Sequence, residues 1–369
     1  MNAYFNDLIY LLSCAVNGDT PDAERTAAMD TEKLYGLAKY HSVRSAVCIA
    51  LERAGIVDAK FHDAMKKAVR KNIYLDTERQ AISEEFERHG IWYMPLKGAV
   101  LKDIYPENGM REMADCDILY DSTKQEELRE IMLSKGYTAE SVGKIHHDIY
   151  HKPPVLNFEM HTVLFGDSHA EDLRRYYSDP MRMMIKDSDN DFGYHLNDED
   201  FYIYMTAHEY KHYSLSGTGI RSLLDCYVYV KEKGDALDWS YIRKQTDELG
   251  ITGYEQQRRE LAVKVFSSPE LPVLNDAEKE LLTGFLTAGT YGTFENSVKK
   301  KLEGQSKAGY ILRSMFPDVE YMKVSVDFVN RHPVLYPVGI VYRWGRIIKK
   351  RRNYIASIMK VMKENKNAK

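Results

Sequence analysis

The chain has 369 residues, which is too long for one small core and implies two or three packed units. Hydrophobic residues make up 44% and charged residues 29%, the balance of a soluble globular protein, which speaks against disorder outside the extreme C-terminus. The net charge is -4, but it is uneven: Tyr342 to Lys369 carries ten Lys/Arg against one acid, a net +9, so the rest carries -13.

The N-terminal stretch MNAYFNDLIYLLSCAVNGD lacks the basic segment of a signal peptide. Its apolar run, Leu8 to Val16, is too short to span a bilayer. Cys14, Cys48, Cys116 and Cys226 are far apart with no CxxC pair, so neither a disulfide framework nor a zinc ribbon is readable. A cytoplasmic protein with no membrane partner is expected.

Residues 1–88 read as helical. Asp30-Thr31-Glu32-Lys33 starts one helix, Val43 to Ala54 forms a second that stops at Gly55, and Lys60 to Arg88 forms a long third closed by His89-Gly90. The pattern changes at Ile91. IWYMPL reads as a strand, KGAVLKDIY as a helix, and Asp115 to Tyr120 as a strand with period-two alternation. Ser122 is expected to cap a helix from Thr123 to Ser134 ended by Gly136. HHDIYHK and VLNFEMHTVL follow as two more strands. From Asn197 the chain turns helical again, with runs at Ser222–Lys231, Trp239–Glu248 and Tyr254–Phe266. The division expected is a helical region 1–88, an α+β core 89–196 and a helical domain 197–369 with a basic tail.

Asp115-Cys116-Asp117 is the sharpest chemical feature. Residues i and i+2 of a strand share a face, and two like charges there call for a cation between them. Magnesium takes a few carboxylates plus substrate phosphates, which suits such a pair. Upstream, Leu96-Lys97-Gly98-Ala99 joins strand to helix, where glycine lets a phosphate approach the backbone and Lys97 adds a cation. Downstream, Phe158-Glu159-Met160-His161 sets another acid between apolar residues, a half-buried position that favours a shared metal. Arg111 is placed either to pair with phosphate oxygens or to brace the acids.

LKGAVLKDIYPENGMREMADCDILY, then a helix ending in KGY, then FEMHTVL resembles the uncharacterised nucleotidyltransferases of bacteria, in the DNA polymerase β-like superfamily. The resemblance rests on Leu96-Lys97-Gly98, Tyr105-Pro106, Arg111, Asp115, Asp117, Glu159 and His161, and extends to His208, His212 and Phe316-Pro317. It implies an α+β fold: a polymerase β-like core of mixed sheet and helices between helical flanks. It implies Mg2+ (or Mn2+) on Asp115, Asp117 and Glu159, with Glu159 also assisting the acceptor hydroxyl as a base. Lys97, Gly98, Arg111 and His161 would meet the nucleoside triphosphate. Nucleoside monophosphate would pass to an acceptor hydroxyl with release of pyrophosphate. The superfamily has glycine-serine or glycine-glycine where this chain has Lys97-Gly98-Ala99, so a nucleotide-binding pseudoenzyme is the alternative. A small-molecule acceptor is favoured over RNA or protein, because a body of -13 repels a long polyanion.

His208-Glu209-Tyr210-Lys211-His212 matches HExxH, a zinc-hydrolase spacing, with Asp225 or Glu232 as third ligand. The two histidines continue a stripe from Phe201 and Met205, so packing or cleft lining is the plainer reading. His146, His147 and His151 are expected to be solvated, Ser168-His169 lacks a triad context, and Arg221 with Asp225 reads as a surface or brace pair. In the tail, Lys349, Lys350, Arg351 and Arg352 form a basic cluster on a helix with an apolar side.

Overall fold

A computed structural model describes residues 3–140, 147–166, 170–290, 292 and 315–350. His146, Ser168, His169, Arg351 and Arg352 lie outside the described residues, and Lys349 and Lys350 are described by backbone alone. The chain forms two compact units. One takes Met1–Lys211 and Gly219–Thr290; the other takes His212–Thr218 and Tyr291 onward.

The first unit opens with α1 (Ala3–Asn17), α2 (Ala23–Ala27), α3 (Thr31–Tyr40), α4 (Arg44–Arg53) and α5 (Ala59–His89). Leu8 to Val16, the run too short for a membrane, is buried throughout and forms a core helix. Each such aliphatic side chain contributes roughly 1.5–3 kcal/mol by burial. The caps follow the sequence signals. Asp30 accepts from the Lys33 amide, Asp58 from those of Lys60 and Phe61, and Gly55 and Gly90 turn the chain out with φ of 78° and 63°. Helix α5 is long because it serves two cores. Phe61 packs with the helices, while Leu75, Ile82 and Phe86 pack beneath the sheet.

The core then runs β1 (Tyr93–Pro95), α6 (Gly98–Leu101), β2 (Cys116–Tyr120), α7 (Gln125–Ser134), β3 (Thr138–Ala139), β4 (His147–Lys152) and β5 (Leu156–His161). Its five strands lie in the order β1-β2-β5-β4-β3, with β2 and β5 parallel and the other neighbours antiparallel. This is the mixed sheet between helical flanks that the resemblance implied. Two expected elements differ. The helix after Lys97 stops at Leu101 instead of Tyr105, and the chain continues in tighter turns in which the Asp103 and Ile104 amides donate to the Val100 and Leu101 carbonyls. Asp121, not Ser122, caps the next segment, which begins as a 3-10 turn at Ser122–Lys124 before α7.

After α8 (Glu171–Tyr176) and the hairpin of β6 (Met184–Lys186) with β7 (Tyr194–Leu196) come α9 (Asp198–Leu215), α10 (Ile220–Lys233), α11 (Trp239–Glu248), α12 (Thr252–Phe266) and α13 (Asp276–Ala288). Helix α12 returns to α1: the Phe266 carbonyl accepts from Ser13 Oγ at 2.9 Å and from Asn17 Nδ2 at 2.7 Å. In the second unit, α14 (Val319–Ser325), α15 (Asp327–Arg331) and α16 (Tyr336–Lys350) close on a small core of Met322, Val326, Val329 and Ile340. No helix of the described residues is long and apolar enough to cross a membrane.

Candidate active site

The sheet register assembles the acids. In the parallel β2–β5 pair, Asp117 stands opposite Glu159, so their side chains share a face. Cys116, Ile118, Phe158 and Met160 turn to the other face and are buried with Tyr120 and Tyr150. In the antiparallel β4–β5 pair, His147 stands opposite His161. One face therefore carries Asp117, Glu159, His147 and His161.

Lys97 completes the group. The Leu96 amide donates to the Asp117 carbonyl at 2.9 Å and ties the end of β1 to β2. The next residue turns sharply: Lys97 adopts φ 47° and ψ -114°, a conformation L residues rarely hold outside functional sites. Its ammonium donates to Asp117 Oδ1 at 2.8 Å. The same oxygen accepts from His161 Nε2 at 2.7 Å. Glu159 Oε2 lies 3.6 Å from His147 Nε2 and 3.8 Å from His161 Nε2.

The electrostatics are those of an anionic cluster short of cations. Burial alone would raise the Asp117 carboxyl, but Lys97 and His161 outweigh it and hold it below the usual range. Burial and the Asp117 charge raise Asp115. Burial, then Asp117 and Asp115, push Glu159 up to about 7. Burial works against the Lys97 charge, yet Asp117 more than compensates and raises it. Burial, then the Lys97 charge, pull His161 down to about 4, so its imidazole is neutral at pH 7. Asp115, Asp117 and Glu159 repel one another across the site in spite of Lys97, and a divalent cation held among them would relieve that repulsion.

Arg111 is drawn to Asp225 of α10. Its Nε and Nη2 donate to Oδ1 and Oδ2 at 2.9 and 3.0 Å, and the Tyr105 hydroxyl donates to Oδ1 at 2.6 Å. This fork holds the chain leading into Asp115. Asn72 Nδ2 donates to the Arg111 carbonyl at 3.4 Å, Lys71 Nζ to the Ala114 carbonyl at 2.5 Å, and Arg221 Nη1 to the Glu112 carbonyl at 3.2 Å. Arg221 and Asp225 are thus parts of a buried brace, not a surface pair. Gly98 packs against the same brace: a Cβ there would lie 2.7 Å from both Arg111 Nη1 and Met113 Cε and would push on those side-chain ends.

Two residues at the site escaped the sequence reading. His147, expected to be solvated, is half-buried against His161, their rings 5.0 Å apart. The β4–β5 register puts it there, and no local pattern reveals a register. Lys211 of α9 is pulled down to about 8 by burial and then by the Lys97 charge. Tyr204, His208 and Lys211 recur at helical spacing, a signal that could have been read.

The zinc-hydrolase alternative does not fit. Glu209, its base, is buried and bonded to the Arg258 guanidinium at 2.5 Å and the Tyr254 hydroxyl at 2.6 Å. Among the described residues, the clusters with metal-ligand spacing are His147–Glu159–His161 and Cys48–Glu52–His62, and neither includes His208 or His212. A cavity of about 640 Å³ is lined by Pro95, Ala99, Val100, Phe201, Tyr229 and Glu232, among others. It borders the segment after Gly98 but includes none of the three acids.

The fold and the acid-bearing face together define a nucleotidyltransferase type of α+β domain. The family model described as uncharacterised nucleotidyltransferase matches residues 27–267, well over half of the chain, and the chain belongs to that family. No curated protein and no solved structure matches it. Membership supports nucleotidyl transfer in general terms and a nucleotide as substrate. The matched span contains Lys97, Gly98, Arg111, Asp115, Asp117, Glu159 and His161.

Proposed function

We propose that the protein transfers a nucleoside monophosphate from a nucleoside triphosphate to an acceptor hydroxyl, releasing pyrophosphate. The observation that carries this reading is the β2–β5 register, which sets Asp117 beside Glu159 with Lys97 on the same carboxylate. Asp115, Asp117 and Glu159 would hold Mg2+ (or Mn2+), and their oxygen donors and surplus negative charge fit such an ion. The ion, when bound, supplies charge stabilisation at the attacking and leaving oxygens.

The protein's own groups do the rest. Lys97 and Lys211 meet the triphosphate charge, Lys97 moving from Asp117 to a phosphate oxygen. His161, neutral and bonded to Asp117, fixes that carboxylate's orientation. A Glu159 oxygen that the ion leaves free takes the proton of the acceptor hydroxyl. The acceptor oxygen then bonds to the α-phosphorus as the α–β bridging P–O bond breaks. Arg111 serves from behind, holding Asp115 and Gly98 in place through Asp225.

A small molecule is the favoured acceptor, and the 640 Å³ cavity beside Ala99 is of the size such ligands occupy. The second reading, nucleotide binding without transfer, draws on Lys97-Gly98-Ala99, which offers no serine hydroxyl to the triphosphate. The test is pyrophosphate release from each nucleoside triphosphate with Mg2+ or Mn2+, over a panel of hydroxyl acceptors. Release that Asp117→Asn abolishes supports transfer. Tight nucleotide binding with no release across the panel favours the second reading.

A further inference from the structure

The first unit brings together Cys48, Glu52 and His62, whose donor atoms all lie within 4.8 Å of one another. Cys48 and Glu52 are four residues apart on α4 and so share a helix face. His62 comes from the first turns of α5, after the Gly55 turn folds the chain back. Cys48 Sγ is 3.7 Å from Glu52 Oε1, and His62 Nδ1 is 2.6 Å from the same oxygen.

We propose that Cys48, Glu52 and His62 form a zinc site that joins α4 to α5. Thiolate, imidazole and carboxylate are the donors zinc takes, and together they suit it better than magnesium or calcium. The spacing is close to what the ion needs. With Zn–S about 2.3 Å and Zn–O about 2.0 Å, a tetrahedral sulfur–oxygen edge is roughly 3.5 Å. The nitrogen–oxygen edge is roughly 3.3 Å by the same geometry, so His62 and Glu52 must part by about 0.7 Å. Their side chains are 38% and 35% exposed, which leaves them room to part and admits water as fourth ligand. Cys48 is buried at the base of the group, where its thiol donates to Glu52 Oε1; a bound zinc ion would displace that proton and take the thiolate.

The site shares no residue with the acids on the sheet and does not rest on the nucleotidyl-transfer reading. It would still support that site. Three turns further along α5, Lys71 and Asn72 hold the Ala114 and Arg111 carbonyls. Pinning the start of α5 steadies the helix that carries them.

The test is a cobalt titration of the full chain after chelator treatment, read by absorption. One equivalent, apart from any cobalt taken by the acids on the sheet, should bind with a thiolate-to-cobalt charge-transfer band and tetrahedral d–d bands, and zinc should displace it. Cys48→Ser should remove the charge-transfer band. His62→Ala, at a half-exposed position that leaves folding intact, should weaken cobalt binding at least about tenfold, since even outer-shell changes cost that much. Asp117→Asn should leave the band unchanged. Absence of the charge-transfer band at saturating cobalt, or a band that survives both Cys48→Ser and His62→Ala, would overturn the proposal and leave Glu52–His62 a plain ion pair.

Discussion

Asp117 is the residue on which the site turns, because one of its oxygens is shared by Lys97 and His161. Asp117→Asn removes the charge both partners face, and turnover should fall at least about a hundredfold, the scale of one preorganised electrostatic contact. Circular dichroism should show the fold retained. Lys97→Met should weaken triphosphate affinity by about tenfold, the scale of one charge-assisted contact, read by calorimetric titration. Glu159→Gln makes the opposite kind of prediction. Burial and the charges of Asp117 and Asp115 outweigh the pull of Lys97 on this acid, so its neutral isostere should raise the thermal midpoint of the metal-free protein while abolishing transfer. A lower midpoint would show that Glu159 is held by attraction. At this scale much was readable beforehand. Asp117 and Glu159 stand out because period-two alternation on a strand exposes a polar residue out of place, whereas Asp115, expected on the strand, lies one residue before it. His147 was not readable, since its role depends on which strand lies beside which.

Elements position these residues through contacts that sequence shows poorly. Arg111 could be read as near the acids, but its partner, Asp225, lies 114 positions away on α10. Breaking a buried pair from one side leaves an uncompensated charge, so Asp225→Asn should cost about 3–5 kcal/mol in chemical denaturation. A cost under about 1 kcal/mol would show that the brace is dispensable. A second element-scale contact makes stability pH-dependent. His41, at the end of α3, shares its Nε2 hydrogen with the Leu286 carbonyl at 3.1 Å and accepts from the Ile220 amide at Nδ1 at 3.4 Å. Burial pulls it down from 6.5 to about 4. The unfolded chain therefore binds the proton more readily between these values. Stability should fall as pH drops from about 6.5 to about 4, by roughly 3 kcal/mol from this group. His41→Gln should flatten that part of the profile in denaturation measured against pH. Caps and stops were the most legible features at this scale, since Asp30, Asp58, Gly55 and Gly90 act on their neighbours alone.

Across the whole molecule, the α+β class and the helical flanks followed from where the apolar period changes, at Ile91 and again near Asn197. What could not be read was that α1 and α12 meet, because the Ser13–Phe266 contact spans 253 positions. The charge pattern is legible in full and bears on the acceptor. Residues outside the basic tail carry -13, so RNA binding by the intact chain should be weak and, if carried by the tail, should fall steeply with salt. Tight RNA binding that persists at high salt would reverse the preference for a small acceptor. The central claim is that Asp117 and Glu159 on the sheet and Asp115 just before β2 hold a divalent ion together with a nucleotide, and it can be tested without knowing the acceptor. The measurement is manganese binding by electron paramagnetic resonance, in the presence of a nucleoside triphosphate analogue with a methylene in place of the α–β bridging oxygen. The intact chain should bind manganese only weakly without the analogue and tightly with it, and Asp115→Asn, Asp117→Asn and Glu159→Gln should each lose that gain. Equal, analogue-dependent binding by the parent and all three variants would contradict the account.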